Sequence, residues 1–292
     1  MKNIEFAVIG GSGLYEMDGL NQVEEHWVDT PFGKPSDAIF SGLLDGVPVA
    51  FLARHARGHK HLPSEVPYRA NIYALKALGV RYLLSISAVG SLSETMRPLD
   101  LVVPDQMIDL TKRRDGTFFG AGAVAHTSMA QPVCPNLAAL LVRACQATVS
   151  EEIHVHTKGT YVCIEGPTFS TQAESHWYRS MGAHVIGMTN MPEAKLAREA
   201  EIAYATLALV TDYDCWHPRE AHVTADLAIA NLMRNAATAQ RVARHLIGLL
   251  AREMPTSIAH DALSASLVTP IAAMDDSVKT RLAALLASRL KT

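Results

Sequence analysis

A chain of 292 residues with 49% hydrophobic and 19% charged residues is long enough to bury a sizeable core and too apolar to stay disordered. Its net charge of −3 gives no general attraction for a polyanion, so nucleic acid is not the expected partner, although a small anion needs only a cation or two and some backbone N–H groups. The four cysteines, Cys134, Cys145, Cys163 and Cys215, form no C-x-x-C pair and no zinc spacing with histidine, and read as buried free thiols.

The apolar run 6–9 is expected to be a strand, and Gly10-Gly11-Ser12-Gly13 follows it at once. Glycines there let backbone N–H groups approach an anion, with the Ser12 hydroxyl as a further donor, but the pattern is neither the Rossmann nor the P-loop motif and equally suits a plain turn. A second buried strand, 47–52, runs into Ala53-Arg54-His55-Ala56-Arg57-Gly58-His59-Lys60-His61. No carboxylate interrupts this segment, so it reads either as an anion site, with Arg54 giving two parallel hydrogen bonds to phosphate, or as a solvated basic loop. Its place at a strand end favours a ligand, since ligands of α/β sheets gather there.

Residues 66–78 have helical periodicity, with Ser64-Glu65 before them and Gly79 behind. The strand 82–86 leads into Ser85-Ile86-Ser87-Ala88-Val89-Gly90-Ser91, whose small side chains suit either a ligand touching the backbone or a tight turn. After a short strand at 101–103, the Gly- and Ala-rich stretch 115–130 reads as a loop, and loops of that length are uncommon unless functional. A helix at 136–148 begins behind Pro135. Next comes the strand 161–164, followed by Glu165-Gly166-Pro167-Thr168-Phe169-Ser170-Thr171, where Phe169 faces a planar ligand or packs in the core. A helix at 171–181, a strand at 184–186, the segment Met188-Thr189-Asn190 and a helix at 192–201 complete the middle of the chain.

The strand 205–210 runs into Thr211-Asp212-Tyr213-Asp214-Cys215-Trp216. Two acids two residues apart project to one side of an extended chain, and burial with a like charge nearby raises the pKa of such a pair. The segment therefore reads as a proton-handling or base-reading pair, or else as a turn with solvated acids. A long helix at 226–253 follows. Beyond the break at Pro255 and Ser257, the stretch 278–290 forms a packed tail with Lys279, Arg281 and Arg289 on its polar side. Strands alternating with helices predict an α/β fold. With no repeat or linker, we expect one domain over 1–292 with a helical tail from about 255. No apolar run suits a bilayer span or a signal segment, so the expected location is the cytoplasm.

In this order the motifs Gly10-Gly11-Ser12-Gly13-Leu14, Arg54-His55, Asn71-Ile72-Tyr73-Ala74-Leu75-Lys76, Ala88-Val89-Gly90-Ser91-Leu92, Glu165-Gly166-Pro167, Ala173-Glu174-Ser175, Gly187-Met188-Thr189 and Thr211 to Trp216 resemble the trimeric nucleoside phosphorylase family, closest to its methylthioadenosine branch. The likeness runs from Ile9 to about Asp226. It implies a central mixed, twisted, partly barrel-like β-sheet surrounded by helices, and phosphorolysis of S-methyl-5′-thioadenosine to adenine and 5-methylthioribose 1-phosphate. It also implies a phosphate site of Ser12, Arg54, His55, Ser87, the backbone of Ala88, and Thr189. By the same resemblance the ribose lies beside Met188 and the purine near Phe169 and Ser170. Asp212 serves N7, Asp214 accepts from the 6-amino group, and His126 reaches a neighbouring subunit. The implied assembly is a homotrimer or a dimer of trimers, with phosphate as co-substrate and no metal, cofactor or membrane partner.

Where the family often has Thr, this chain has Ser12 and Ser87, which keep the hydroxyl. The 6-oxopurine enzymes carry Asn at the position of Asp212 and Glu at that of Ser170, so the acids here favour a 6-aminopurine. For the 5′ hydroxyl those enzymes use a histidine, where this chain offers Ala225 and Ala228 to an apolar methylthio group, with His222 close by in sequence. The alternatives are a purine nucleoside or methylthioinosine phosphorylase, and a purine-nucleoside binding protein without catalysis.

Overall fold

The computed structural model describes residues 4–11, 17–220 and 222–290. At its centre β1 (Phe6–Gly10), β4 (Val47–Ala53), β5 (Tyr82–Ser91) and β11 (Ala203–Asp212) lie parallel. All ten residues of β11 are buried, as the unbroken apolar runs predict for strands covered on both faces. Successive residues feed opposite faces. Ile9, Leu52 and Leu83 join a core with Ile72, Leu75, Leu196 and Leu285, while Val8, Phe51 and Leu84 join another with Leu141, Val242 and Leu246.

The sheet is mixed, as expected, and among the described residues it has 11 strands. Its main path runs β2 (Leu20–His26), β3 (Ile39–Leu44), β4, β1, β5, β10 (Val185–Gly187), β9 (Thr160–Cys163) and β7 (Gln106–Asp109). A branch leaves β5 through β11 to β6 (Leu101–Val102) and β8 (Val155–His156). The strand β5 extends past the expected 82–86 because its C-terminal end pairs twice, with β11 along its length and antiparallel with β10 at Gly90 and Ser91. The small residues 85–91 are therefore sheet and not a tight turn.

The helices follow their predicted punctuation. Tyr68–Ala77 (α1) ends before Gly79, whose φ of 100° is left-handed. Pro135–Thr148 (α2) has Pro in its first turn. Gln172–Ser180 (α3) starts on a capping box, with Thr171 accepting from the Glu174 N–H and Glu174 returning to the Thr171 N–H. In Asn190–Glu199 (α4) Met191 is non-helical, so regular helix begins at Pro192 as expected. The long helix Ala225–Glu253 (α5) packs on β11 and is tied to it by Asn231 Nδ2, which donates to the Thr211 carbonyl at 2.7 Å.

The stretch 278–290 is not one helix but two short ones, Asp276–Arg281 (α6) and Ala283–Leu286 (α7), separated at Leu282. Val278, Leu282, Leu285 and Leu286 are buried on the first core. The tail is also fastened by charge. Arg289 donates to both oxygens of the buried Glu201, at 2.8 and 3.0 Å, and Glu201 accepts from the Leu263 N–H. Arg281 donates to the Gly120 carbonyl of the 115–130 loop at 2.6 Å. We expect Arg289→Met to lower the unfolding free energy by about 2 kcal/mol, the scale of hydrogen bonds to a charged partner left unmade. Urea denaturation tests this, and an unchanged midpoint would show that the apolar contacts alone hold the tail.

Candidate active site

Strand register assembles the site. The pairs Gly10↔Ala53, Ala208↔Ser87 and Asp212↔Gly90 bring the ends of β1, β4, β5 and β11 to one edge of the sheet. On that edge Ala88 is exposed and Gly90 half-buried, although the rest of β5 is buried. Arg54 follows directly on β4, and its N–H donates to the Gly10 carbonyl at 2.9 Å. Ser12 lies outside the described residues.

Sequence suggested that the 53–61 segment is an unpaired basic cluster, and the structure corrects this, because the acids come from elsewhere in the chain. Arg57 is paired with Asp37 and Glu25. The guanidinium of Arg54 makes its two parallel hydrogen bonds to Glu193 of α4, Nε to Oε2 at 2.7 Å and Nη2 to Oε1 at 2.9 Å. Nη2 also meets Ser85 Oγ at 2.7 Å, and Nη1 donates to the Ile86 carbonyl at 3.1 Å, so that among the described residues the other Nη1–H has no partner. Burial opposes the charge of Arg54, and Glu193 outweighs it, lifting the guanidinium pKa above its ordinary value. Glu193 is 0% exposed and also accepts from the Tyr204 hydroxyl at 2.9 Å. No signal in the sequence marks Glu193, since an acid in the first turn of a helix is ordinarily a solvated partner of the helix dipole.

Beside this pair, Ser87 Oγ lies 3.4 Å from Thr189 Oγ1 and 3.2 Å from the Tyr161 hydroxyl. His55 is half-buried and stacks on His59 with 4.3 Å between ring centroids. Its Nδ1 is 2.9 Å from the His61 carbonyl, an acceptor only, so Nδ1 carries the proton and Nε2 is the free position. Burial, reinforced by Arg54, pulls the imidazole down to about 4, so it is neutral at neutral pH. Hydroxyls and one guanidinium N–H are donors for a small tetrahedral anion, and the Nε2 lone pair of the neutral imidazole accepts from an anion oxygen that carries a proton, so the site has no surplus of charge.

The acids stand on the same edge, at the C-terminal ends of β11 and β5 beyond Ser87 and Ala208. Asp212 is 4% exposed; its Oδ2 accepts from Thr211 Oγ1 at 2.6 Å and its Oδ1 from the Asp214 N–H at 2.8 Å. A β-bulge at this point and a φ of 52° at Asp214 turn the chain, so the two carboxylates are not on a simple extended strand as the sequence suggested, although both are buried. Gly90 makes the room, since a Cβ there would sit 2.9 Å from Asp212 Oδ1. Burial raises the pKa of Asp212 against the two hydrogen bonds it accepts. Burial also raises that of Asp214, with the Asp212 charge adding to it. The solvated-turn alternative fails on these observations. Asp214 Oδ2, Ser170 Oγ and Ser175 Oγ are buried without a hydrogen-bond partner among the described residues, three polar atoms suited to a polar ligand edge.

Phe169 is 43% exposed, so its ring is not core packing. Met188 nests against Gly166, where a Cβ would meet its sulfur, and its carbonyl accepts from Arg114 Nη1 at 2.6 Å. Sequence reading missed Arg114. It donates to the carbonyls of Met188, Met191, Ile164 and Glu165 and to the Glu165 carboxylate. Backbone acceptors so far away in the chain leave no sequence signal. Trp216 Nε1 donates to the Ser91 carbonyl at 2.7 Å and anchors the turn that carries the acids.

Ala225 and Ala228 open α5, exposed and half-buried respectively. His222 is engaged by Gln172 at 3.3 Å. His126 is exposed on the 115–130 loop, which is paired to the tail through its N–H and the Ser266 carbonyl, and it lines a cavity with Lys195 and Glu199 and not with the paired acids. All four cysteines are buried and free, and burial pushes the Cys163 thiol up to about 12. Among the described residues no group of three His, Cys, Asp or Glu side chains converges as a metal site, and no helix is long and apolar enough to cross a membrane.

Comparison with known proteins agrees with this architecture. The family model described as "Phosphorylase superfamily" matches residues 5–248. The chain is 58% identical over 270 residues to an S-methyl-5′-thioadenosine phosphorylase of Synechocystis sp., covering 92% of this chain and 83% of that one. It is 64% identical to a methylthioadenosine phosphorylase from an Antarctic soil metagenomic library, with a TM-score of 0.94 and coverage of 98% and 100%. A methylthioadenosine phosphorylase of Schistosoma mansoni, solved in complex with adenine, superposes with a TM-score of 0.80 at 33% identity, covering 99% of each chain.

The ion pair under the anion site makes a sharp stability prediction. Glu193→Leu leaves a buried guanidinium without its carboxylate and should cost about 3–5 kcal/mol, whereas adding Arg54→Met should recover part of that loss. Equal unfolding midpoints for the Glu193→Leu variant and the unmodified protein would contradict the pairing.

Proposed function

The chain belongs to the phosphorylase superfamily, and on that premise we propose that it cleaves S-methyl-5′-thioadenosine with inorganic phosphate, giving adenine and 5-methylthioribose 1-phosphate. The observation that carries the reading is the presence, along one sheet edge, of an anion-suited group of hydroxyls near Arg54 and a buried acid pair beside polar atoms that have no hydrogen-bond partner among the described residues.

In this reading phosphate binds Ser12, Ser87, Thr189, the Ala88 backbone, the remaining Nη1–H of Arg54, and His55. The purine lies near Phe169 and Ser170, with the ribose beside Met188. As the bond from C1′ to N9 stretches, its electrons pass to the base, and adenine leaves poorly as an anion. Asp212 supplies a proton or strong hydrogen bond at N7, and burial supports that role by favouring its acid form. Asp214, through Oδ2, accepts from the 6-amino group; against a 6-oxo group its carboxylate would oppose an acceptor with an acceptor. Phosphate stabilises the cationic sugar and attacks C1′, forming the new C–O bond. The nucleophile is already anionic and the leaving base is neutralised by a proton, so the reading calls for no cofactor beyond the co-substrate; position and electrostatics supply the rate.

Ala225 and Ala228 give the methylthio group an apolar neighbour. We further propose a homotrimer in which His126, exposed and lining a cavity that Asp212 and Asp214 do not line, completes the site of a neighbouring subunit. Free buried thiols suit a reducing, cytoplasmic setting.

Free base is to be followed with methylthioadenosine, adenosine, inosine and methylthioinosine, each with and without phosphate. Phosphate-dependent release, fastest from methylthioadenosine, is expected; phosphate-independent release, or inosine as best substrate, contradicts the proposal. Asp212→Ala should lower turnover by about 10²–10⁴. Because the required form is the acid and burial raises its pKa, turnover should fall as pH rises through that pKa. Asp212→Asn, which has no proton to lose, should abolish that alkaline limb, and a limb that survives would assign it to another group.

A further inference from the structure

Tyr161, in β9, is 0% exposed, and a phenol so deeply buried needs a partner for its hydroxyl. That hydroxyl fills the space of the missing side chain of Gly187 in the adjacent strand β10: a Cβ built on Gly187 would lie 1.9 Å from the Tyr161 oxygen. Gly187 is not among the residues with left-handed φ, so its backbone is open to any residue type. Glycine is required there by the phenol and not by a turn. From there the hydroxyl reaches Ser87 Oγ at 3.2 Å, and Ser87 Oγ in turn lies 3.4 Å from Thr189 Oγ1 and 3.3 Å from the Ala88 carbonyl.

We propose that Tyr161 is a positioning residue of the phosphate site, whose hydroxyl donates to Ser87 Oγ and so directs the Ser87 proton onto the bound phosphate. The inference rests on the reading of Ser87 as a phosphate ligand. Its logic is donor counting. Phosphate oxygens chiefly accept, so Ser87 is useful to them only as a donor, and a hydroxyl has one proton to give. With Tyr161 filling one lone pair, the Ser87 oxygen is satisfied as an acceptor and its proton is free for the ligand. The acceptors that compete for the Ser87 proton are the Ala88 carbonyl, to which Ser87 Oγ donates at 3.3 Å, and Thr189 Oγ1 at 3.4 Å, and a proton turned to either is lost to phosphate. Burial keeps the phenol protonated far into the alkaline range, so it remains a donor.

The test is a double-mutant cycle read as KM for phosphate, KM for methylthioadenosine and kcat at saturating phosphate. Tyr161→Phe keeps the ring and should raise phosphate KM about fivefold to tenfold, the factor of one hydrogen bond, while the other two constants stay within about twofold. Ser87→Ala should raise phosphate KM as well, and adding Tyr161→Phe to it should produce no further increase. An unchanged phosphate KM in Tyr161→Phe, or fully additive effects in the double variant, overturns the positioning role and leaves the proposed function standing. An unchanged phosphate KM in Ser87→Ala instead overturns the placing of phosphate at Ser87, and this inference with it. If Tyr161→Phe does not fold, 3-fluorotyrosine at position 161 preserves the shape with a more acidic phenol. It should then lower phosphate KM, and an unchanged value refutes the proposal.

Discussion

The site is organised around a buried guanidinium. Arg54 and Glu193 are distant in sequence and almost wholly buried, and their two parallel hydrogen bonds fix the end of β4 to the start of α4. Two charges taken out of water lose hydration that their mutual attraction repays only with good geometry and full hydrogen bonding. Here Tyr204, Ser85 and the Ile86 carbonyl complete the shells. What the arrangement secures is direction: the planar fork is locked, and among the described residues one Nη1–H is left without a partner.

Opposite charges are handled at the two ends of the site by different means. At the anion end, positive charge is neutralised in advance by Glu193, and His55 is held neutral by burial, so the hydroxyl donors carry the recognition. At the acid end, no cation hydrogen-bonds Asp212 or Asp214 among the described residues, and burial pushes both toward their acid forms. Missing side chains make both ends possible. Gly90 leaves space for the Asp212 carboxylate, Gly166 for the Met188 sulfur and Gly187 for the Tyr161 hydroxyl. In each case the sequence shows a glycine, and only the neighbouring strand reveals what occupies its place.

That contrast explains what could be read in advance. Strands buried on both faces, such as β1, β4 and β11, announce themselves because an unbroken apolar run has few other uses. Helices with Pro at the start were equally visible. The edge strand β2 was not, because its side chains are mostly exposed and its sequence, LNQVEEH, carries no apolar alternation. The motifs at the strand ends could be found, since small or ionisable residues directly after an apolar run are conspicuous. Their partners could not. Glu193 and Arg114 act on groups far away in the chain, and the bulge that turns Asp214 is set by pairing with β5. The resemblance of the ordered motifs to nucleoside phosphorylases joined these fragments into one site before their geometry was known, but it did not indicate that Arg54 is already paired.

The account turns on an acid at N7 facing an anion across the sugar. A crystal structure of the protein with adenine and phosphate bound together measures that directly. It should show N7 within hydrogen-bond distance of an Asp212 oxygen, and a phosphate held by Ser87, Thr189 and the free Nη1–H of Arg54. Adenine bound away from Asp212, or a phosphate seated elsewhere than at these donors, would contradict it.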